Sequence, residues 1–320
     1  MNLPPSNRII KTVRPNSSHQ PNKEDYKPCL KDAFKDILLV IVFNYPFYDS
    51  IPDLIALYKP AFPDLLFCGP PDNTASPDIL TVDIIKGFLG YECLARAMRE
   101  HPGFKGYFYI SDDVILKYWN FADNFDRAKF WDSYITTTSP ANGPASSAWY
   151  WWNTPYGLSN CRRALEDVAK MTSKEEKLNG EQLLNTLVNN GNGIRLCFRG
   201  RSDVLYVPQK HAAAFSILSE TFYKQKVFLE IAVPTIYRLL ERNENIRRLP
   251  GYYIPGKVGD PRVTDSRYFW YLYFPHKEYY FIHPFKLHRG GLDSKFSLVM
   301  MKFIFIDKIK ALTNCTPMVL

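Results

Sequence analysis

The chain has 320 residues, 46% of them hydrophobic and 15% aromatic, and its formal net charge is +8. This composition is globular, and the length allows one large α/β domain or two closely packed halves. It excludes a membrane span, because no segment approaches roughly 18 consecutive apolar residues. The first residues also lack the order of a signal peptide, so the sequence alone predicts a soluble protein.

Residues 1–35 are predicted to be a disordered basic tail. They are polar, proline-rich and aperiodic, and they contain seven lysines and arginines against three acidic residues. Such a tail can contact nucleic acid or an anionic membrane, or it can be a solvated linker. Residues 36–320 are predicted to form one domain, divided into halves at 36–140 and 141–320.

The six cysteines are widely scattered and contain no C-x-x-C spacing. This pattern argues against a structural zinc site. An even number of cysteines permits disulfide bonds in a secretory compartment without demonstrating them.

The elements of the first half alternate between strands and helices. "ILLVIVF" (37–43) is typical of a strand buried on both faces, "IPDLIALYKPAF" (51–62) has helical spacing, and "DLLFCGP" (64–70) is a second short strand. A further helix within residues 83–101 precedes the strand "GYFYI" (106–110). The order predicts an α/β fold with a mostly parallel central sheet flanked by helices.

The second half has a less regular pattern and is predicted to be mixed. Residues 212–243 are predicted to form one or two helices interrupted around Val233 and Pro234. Residues 268–291 are expected to form a strand pair followed by a basic loop that carries histidines.

Asp112 and Asp113 directly follow the strand "GYFYI", at the sheet edge where open α/β sheets bind ligands. Two adjacent carboxylates can hold Mg²⁺ or Mn²⁺, can act as a general acid and base, or can cap the next helix in solvent. Adjacent side chains on a strand point to opposite faces, which disfavours a dyad that shares one proton.

The βαβ unit, the helix and the strand ending in "ISDDVIL" (110–116) together resemble glycosyltransferases of the GT-A fold. The sequence of strand, acid pair and apolar residues is most similar to the corresponding stretch of exostosin-like C-terminal domains and STELLO proteins. The order of elements is similar over residues 36–290, and the motif in detail over residues 106–120. The resemblance implies a hexosyl- or N-acetylhexosaminyl-transferase that uses a nucleotide-sugar donor, most simply a UDP-sugar.

In that family an Asp-x-Asp motif binds a metal ion that bridges the donor diphosphate. Ser111-Asp112-Asp113 departs from it, because serine stands at the first position. The resemblance therefore implies that Asp113 binds the Mn²⁺ or Mg²⁺ ion and that Asp112 faces the ribose or the donor sugar. The same departure raises the alternative of a catalytically inactive binding protein.

Further donor and metal residues follow from this frame. Asn44 and Tyr45 leave the first strand and could contact the nucleobase, although a simple turn at Pro46 is an alternative. Some GT-A enzymes complete the metal site with a late histidine, which makes His283 the first candidate and His288 the second. A structural histidine is the alternative reading.

The acceptor side is predicted from aromatic residues and one acid. Trp149, Trp151 and Trp152 form, with Tyr150, the densest aromatic cluster, which suits either a carbohydrate groove or a core plug. Glu230 lies among apolar residues, so burial would raise its pKa and suit it as the catalytic base, unless it faces outward on a helix.

Taken together, the sequence predicts a metal-dependent glycosyltransferase that acts on a glycan or protein acceptor. The rivals are an inactive GT-A-like binding protein and, ranked last, a basic nucleic-acid-binding protein. The resemblance places the protein in the Golgi lumen, where such enzymes have an N-terminal membrane anchor that this sequence does not show.

Overall fold

A computed structural model describes residues 29–72, 79–172, 178–254, 275–287, 299 and 305–315. The strands are β1 Ile37–Val42, β2 Leu65–Gly69, β3 Ile79–Thr81, β4 Gly106–Ser111, β5 Ile115–Leu116, β6 Trp131–Pro140, β7 Leu196–Pro208, β8 Arg247–Arg248, β9 Gly251–Tyr253 and β10 Phe281–His283. The α-helices are α1 Ile51–Tyr58, α2 Tyr91–Glu100, α3 Leu158–Ala169, α4 Gly180–Asn190, α5 Gln209–Lys224, α6 Leu229–Leu240 and α7 Asp307–Thr313. Short 3₁₀ turns occupy Tyr48–Ser50, Tyr118–Asn120, Ala122–Asn124, Tyr150–Asn153 and Asn243–Asn245.

The central sheet has the strand order β3-β2-β1-β4-β7-β6-β8 in the described part of the chain. Strands β3, β2, β1 and β4 are parallel to one another, and β8 is parallel to β6, whereas β7 is antiparallel to both β4 and β6. The predicted mostly parallel sheet flanked by helices is therefore confirmed. A smaller mixed sheet, β5-β10-β9, adjoins the end of β4.

Strand β1 separates two hydrophobic clusters. Its even-numbered residues face the cluster that contains α2 to α6, and its odd-numbered residues face the cluster that contains α1 and the small sheet. All six residues of β1 are buried. A strand covered on both faces has no polar side, which explains why its sequence is continuously apolar.

The acid pair sits in a tight turn directly after β4. The backbone N–H of Asp112 donates to the carbonyl of Val42 at 2.9 Å, and that of Val114 donates to Ser111 at 3.0 Å. The buried hydroxyl of Tyr58 then donates to the carbonyl of Val114 and accepts from the N–H of Leu116, both at 3.1 Å. Helix α1 thereby fixes the backbone that follows the acids.

Three disulfide bonds join all six cysteines. They connect Cys29 with Cys315, Cys68 with Cys93, and Cys161 with Cys197. The first bond closes a loop of 286 residues between the two ends of the described chain. The other two bonds tie β2 to α2 and α3 to β7.

The packed part of the chain includes residues assigned to the predicted tail. Leu30 and Phe34 are buried, and the backbone N–H of Leu30 donates to the carbonyl of Leu312 at 3.0 Å. Residues 1–28 lie outside the described part of the chain. The packed residues therefore include Leu30 and Phe34, which precede the predicted boundary at 36.

The predicted helix interruption at Val233 and Pro234 is wrong. Helix α6 runs through Pro234, and the break lies between Lys224 and Leu229, where Lys226 adopts a positive φ of 54°. A residue in the left-handed conformation commonly marks the end of a helix, whereas Pro234 is buried inside α6 without ending it. None of the helices in the described residues is long and apolar enough to cross a membrane.

The Tyr58 hydroxyl provides a test of this packing. Tyr58→Phe should lower the free energy of unfolding by about 1–3 kcal/mol, because it leaves a buried carbonyl and a buried N–H without a partner. Urea denaturation measures the change. Tyr150→Phe is the matched control, since Tyr150 is 72% exposed. Equal stability of the two variants would contradict the bridging role of Tyr58.

Candidate functional site

A cavity of about 250 Å³ opens at the carboxyl ends of β1 and β4. It is lined by Asn44, Tyr45, Phe47, Asp112, Asp113, Lys286 and Leu287. The structure thus brings the two predicted donor-binding residues that follow β1 to the acid pair that follows β4. Parallel pairing of β1 with β4 produces this convergence, because Val42 lies opposite Ser111 at the same sheet edge.

The two acids have opposite environments. Burial, and then the negative charge of Asp113, raise the pKa of Asp112 to about 7, although Lys286 and the backbone N–H of Asn44 favour its charged form. Burial acts in the same direction on Asp113, but His283 and Lys286 outweigh it and hold the pKa of Asp113 below its ordinary value. Asp113 is therefore the permanently charged member of the pair.

Asp113 is held by the segment that contains β10. Its carboxylate contacts the Lys286 ammonium group, and its other oxygen lies 3.2 Å from His283 Nε2. Its carbonyl accepts a hydrogen bond from the backbone N–H of Phe285 at 2.6 Å. At 4% exposure, a carboxylate is stable only when cations neutralise it.

His283 lies between two carboxylates. Its Nε2 atom is 3.4 Å from an oxygen of Asp203 on β7, in addition to its contact with Asp113. Burial lowers the pKa of His283, but the charges of Asp203 and Asp113 outweigh this effect and raise it to about 9. His288, the second candidate, lies outside the described residues.

Asp113 and His283 could supply some, but not all, of the ligands of a divalent cation. Asp113 Oδ1 is buried without a hydrogen bond and lies 3.2 Å from His283 Nε2, a spacing that two ligands of one Mg²⁺ or Mn²⁺ can adopt. Within the described ranges, however, no group of three or more His, Cys, Asp or Glu side chains is arranged to hold a metal. Water and a ligand would have to complete such a site.

Glu230 lies at the start of α6 and faces the same region. Its side chain is 18% exposed, and one of its oxygens is 3.9 Å from Arg199 Nε. Burial, and then the charge of Asp203, raise the pKa of Glu230 to about 7, against the opposing effects of Arg201, Arg199 and His283. Glu230 is therefore inward-facing, with the proton affinity that a general base needs near neutral pH.

The predicted aromatic cluster divides between surface and core. Trp149 is half-buried, with the Arg199 guanidinium 3.8 Å from its ring centroid. Trp151 stacks on Phe228 at 4.4 Å and is also half-buried. Trp152 is 2% exposed and packs in the core, so it offers no surface to a ligand.

Comparison with known proteins gives one family. The model of the STELLO glycosyltransferases matches residues 7–195, more than half of the chain. The chain belongs to the STELLO glycosyltransferase family. Among curated proteins, none matches the chain.

One solved structure similar to this STELLO-family chain is described as the apo form of the bifunctional glycosyltransferase WbbM. The two share 10% sequence identity with a TM-score of 0.39, and the match covers 87% of this chain and 52% of that chain. The chain thus spans about half of the length of that structure.

Three site residues of this STELLO-family protein were not predicted from its sequence. Arg199, Arg201 and Asp203 lie at alternate positions of β7 and share one face of that strand, next to Glu230 and His283. The sequence signal was the alternation of charged and small residues in "RGRSD" (199–203), within an otherwise apolar strand. A strand that buries charges on one face is more typical of a binding site than of a core.

The environment of Glu230 predicts a pH-dependent stability difference. Its pKa is raised on folding, so the native state binds the extra proton and stability falls as pH rises from the ordinary value toward about 7. Glu230→Gln should remove this loss. Relative to wild type, the variant should gain about 2 kcal/mol in the free energy of unfolding between pH 5 and pH 8.

Urea denaturation at the two pH values measures this gain. Glu244→Gln is the matched control, because Glu244 is a largely exposed carboxylate that pairs with Arg242 at 3.7 Å. This control should follow the wild type at both pH values. A gain that is independent of pH in Glu230→Gln would contradict the raised pKa.

Proposed function

We propose that this protein is a metal-dependent glycosyltransferase that moves a sugar from a nucleotide-sugar donor, most simply a UDP-sugar, to a glycan or protein acceptor. The observation that carries the proposal is the cavity in which Asn44 and Tyr45 meet the acid pair and Lys286. Such a cavity, at the carboxyl edge of a parallel sheet, suits a nucleotide diphosphate. Membership of the glycosyltransferase family supports the same conclusion.

The donor nucleobase is assigned to the loop after β1. Tyr45 is 46% exposed, and its ring lies 5.6 Å from that of Phe47, which is also exposed. Two accessible rings beside a cavity offer faces on which a base can stack. The Asn44 side chain occupies the space that a Cβ atom on Gly87 would take, and Gly87 has a φ of +89°.

The donor diphosphate is assigned to Asp113, His283 and Lys286. Asp113 and His283 would hold a Mn²⁺ or Mg²⁺ ion, which stabilises the charge that develops on a diphosphate leaving group. Lys286 is close enough to Asp113 to place its ammonium group beside the same phosphate oxygens. Asp112 lines the cavity on the other side and is assigned to the ribose or donor sugar.

Glu230 is assigned as the base that accepts the proton of the attacking acceptor hydroxyl. Its pKa of about 7 leaves a substantial charged fraction at neutral pH and still provides proton affinity. The half-buried rings of Trp149 and Trp151 are assigned to the acceptor, because Trp149 connects to Glu230 through Arg199. Trp152 is left out of this surface on account of its burial.

A second candidate function is nucleotide-sugar or glycan binding without turnover. Two observations favour it: Ser111 is buried where the Asp-x-Asp motif has its first acid, and Lys286 and His283 already neutralise Asp113. In this case the cavity binds the nucleotide, but no metal ion is recruited and no sugar is transferred.

We also propose that the protein works in the Golgi lumen. The support is the pairing of all six cysteines in disulfide bonds, which form and persist in oxidising compartments and are rare in the cytosol. The family resemblance implies the same compartment.

The metal-dependent donor site is tested by thermal unfolding in the presence of UDP. With Mn²⁺ present, UDP should raise the midpoint of wild type by several degrees, since a ligand that binds only the native state stabilises it. Asp113→Asn should abolish the part of the shift that depends on Mn²⁺, whereas Asp123→Asn, at an exposed carboxylate in the 3₁₀ turn after β5, should leave it unchanged.

Two results would decide against the proposal. A UDP-induced shift that is the same with Mn²⁺ and with a chelator would favour the candidate without metal. No shift with UDP, GDP or other nucleoside diphosphates would remove the donor site altogether.

The proposed base is tested by turnover. Glu230→Gln should reduce donor hydrolysis or transfer by at least about a hundredfold and leave UDP binding intact, because a general base contributes roughly 10²–10⁴ to the rate. The wild-type rate should rise with pH through about 7, as Glu230 loses its proton. Full activity of Glu230→Gln would assign the base elsewhere.

A further inference from the structure

Two arginines project from β7 on the Glu230 side of the site. The guanidinium carbon of Arg199 lies 3.8 Å from the ring centroid of Trp149, and that of Arg201 lies 4.5 Å from the ring centroid of Tyr253. Their alternate positions place both on one face of the strand. A guanidinium group that lies over a ring keeps its in-plane N–H donors directed outward from its edge.

Those donors lack close acceptors among the residues that the structure describes. Arg199 Nε is buried without a hydrogen bond, and the Glu230 oxygen that faces it is 3.9 Å away. Arg201 forms no hydrogen bond or ion pair through its side chain with any described residue, and its guanidinium group lies over the Tyr253 ring. Elsewhere in the chain, arginine and carboxylate meet at 2.6 Å, as in the pairs of Arg238 with Asp132 and Arg99 with Glu92.

The balance of charge in this region favours an additional anion. Burial lowers the pKa of Arg199, Glu230 opposes this effect, and the positive charge of Arg201 adds to it. Asp203 shares the face of the two arginines, but one of its oxygens lies 3.4 Å from His283 Nε2 and is directed to that side chain. Among the residues that the structure describes, one carboxylate, Glu230, therefore faces the two guanidinium groups, and it is the group that must accept a proton in the proposed reaction.

The position of the arginines separates them from the donor cavity. That cavity is lined by Asp112, Asp113 and Lys286, and it does not include β7. The arginines lie on the side of Glu230 and Trp149, where the acceptor hydroxyl must approach the base. An anion bound there belongs to the acceptor and not to the donor diphosphate.

We propose that Arg199 and Arg201 bind a carboxylate of the acceptor, so that the acceptor is an acidic glycan with a hexuronic-acid-type sugar at or next to the hydroxyl that attacks. The inference rests on the proposed transferase function and adds its substrate class. The planar guanidinium fork matches a carboxylate through two parallel N–H···O bonds, which a neutral sugar cannot accept with the same strength.

The test compares simple glycosides on protein saturated with UDP and Mn²⁺. Ligand-observed NMR titrations give the dissociation constants of methyl β-D-glucuronide, methyl β-D-glucoside and methyl β-D-glucoside 6-phosphate. The glucuronide should bind at least about tenfold more tightly than the glucoside, which is the discrimination expected of a charged hydrogen-bonded pair.

The variants identify the groups responsible for this preference. Arg199→Gln and Arg201→Gln should each reduce it strongly, and Arg199→Lys should restore it only in part, because lysine keeps the charge without the fork. Arg242→Gln, which removes a largely exposed arginine, is the matched control and should keep the full preference. UDP affinity, measured on the same samples, should be unchanged in all four variants.

The outcomes distinguish failure of the acidic-acceptor inference from failure of the proposed function. If UDP binds normally but the glucuronide and the glucoside bind equally well, the acidic-acceptor inference is overturned and the proposed donor site stands. Tighter binding of the phosphate ester than of the glucuronide, or a preference that survives in both glutamine variants, also overturns it. If UDP itself does not bind, the proposed function fails first, and the inference with it.

Discussion

A buried carboxylate must be neutralised, and this requirement at Asp113 organises the site. The acid occupies the turn after β4, where the parallel sheet ends, and it receives its positive charges from residues about 170 positions later in the chain. His283 and Lys286 supply those charges, and the N–H of Phe285 bonds to the backbone of the same acid. The small sheet of β5, β9 and β10 is thereby attached to the carboxyl edge of the large one. Because burying an unpaired charge costs several kcal/mol, the C-terminal segment and the acid pair stabilise one another's positions.

The charged groups of the site form two sides that meet at His283. On one side are the cavity, the acid pair and Lys286, and on the other are Asp203, Glu230 and the two arginines of β7. The segment matched by the family model ends at residue 195, directly before β7 begins. The family relationship therefore includes the acid pair and the loop after β1. Glu230, His283 and Lys286 lie outside the matched segment, so the family model does not support their assignments.

The first half of the fold could be predicted from the sequence because its signals are local. A strand, a helix and a second strand follow one another from Ile37 to Gly69 with clear periodicity, and parallel pairing then brings Asn44 to Asp112 without further information. The site contribution of β7 could not be predicted in the same way. This strand is antiparallel and is inserted beside β4 after 84 intervening residues, so its proximity to Asp113 is a property of the completed sheet. The helix break at Lys226 could not be predicted either, because a single left-handed residue leaves no periodic pattern in the sequence. Pro234 instead suggested a break inside α6, where the structure has none.

Strand β1 is apolar on both faces, and this has a consequence for how its alignment is specified. In a strand with one solvent-exposed face, a shift of the pairing register by one residue would bury polar side chains. The free-energy cost of burying them selects the correct register. In β1 a slip would exchange one set of aliphatic side chains for another, with little change in polarity. The alignment must therefore be specified by polar groups at its two ends. Asp36 pairs with Arg127 at 3.2 Å and with Lys105 at 3.3 Å before the strand begins, and Val42 accepts the N–H of Asp112 where it ends. Polarity therefore does not specify the register in the centre of β1. The ion pairs of Asp36 at its amino end fix which residues of the strand reach the sheet edge that carries the acid pair.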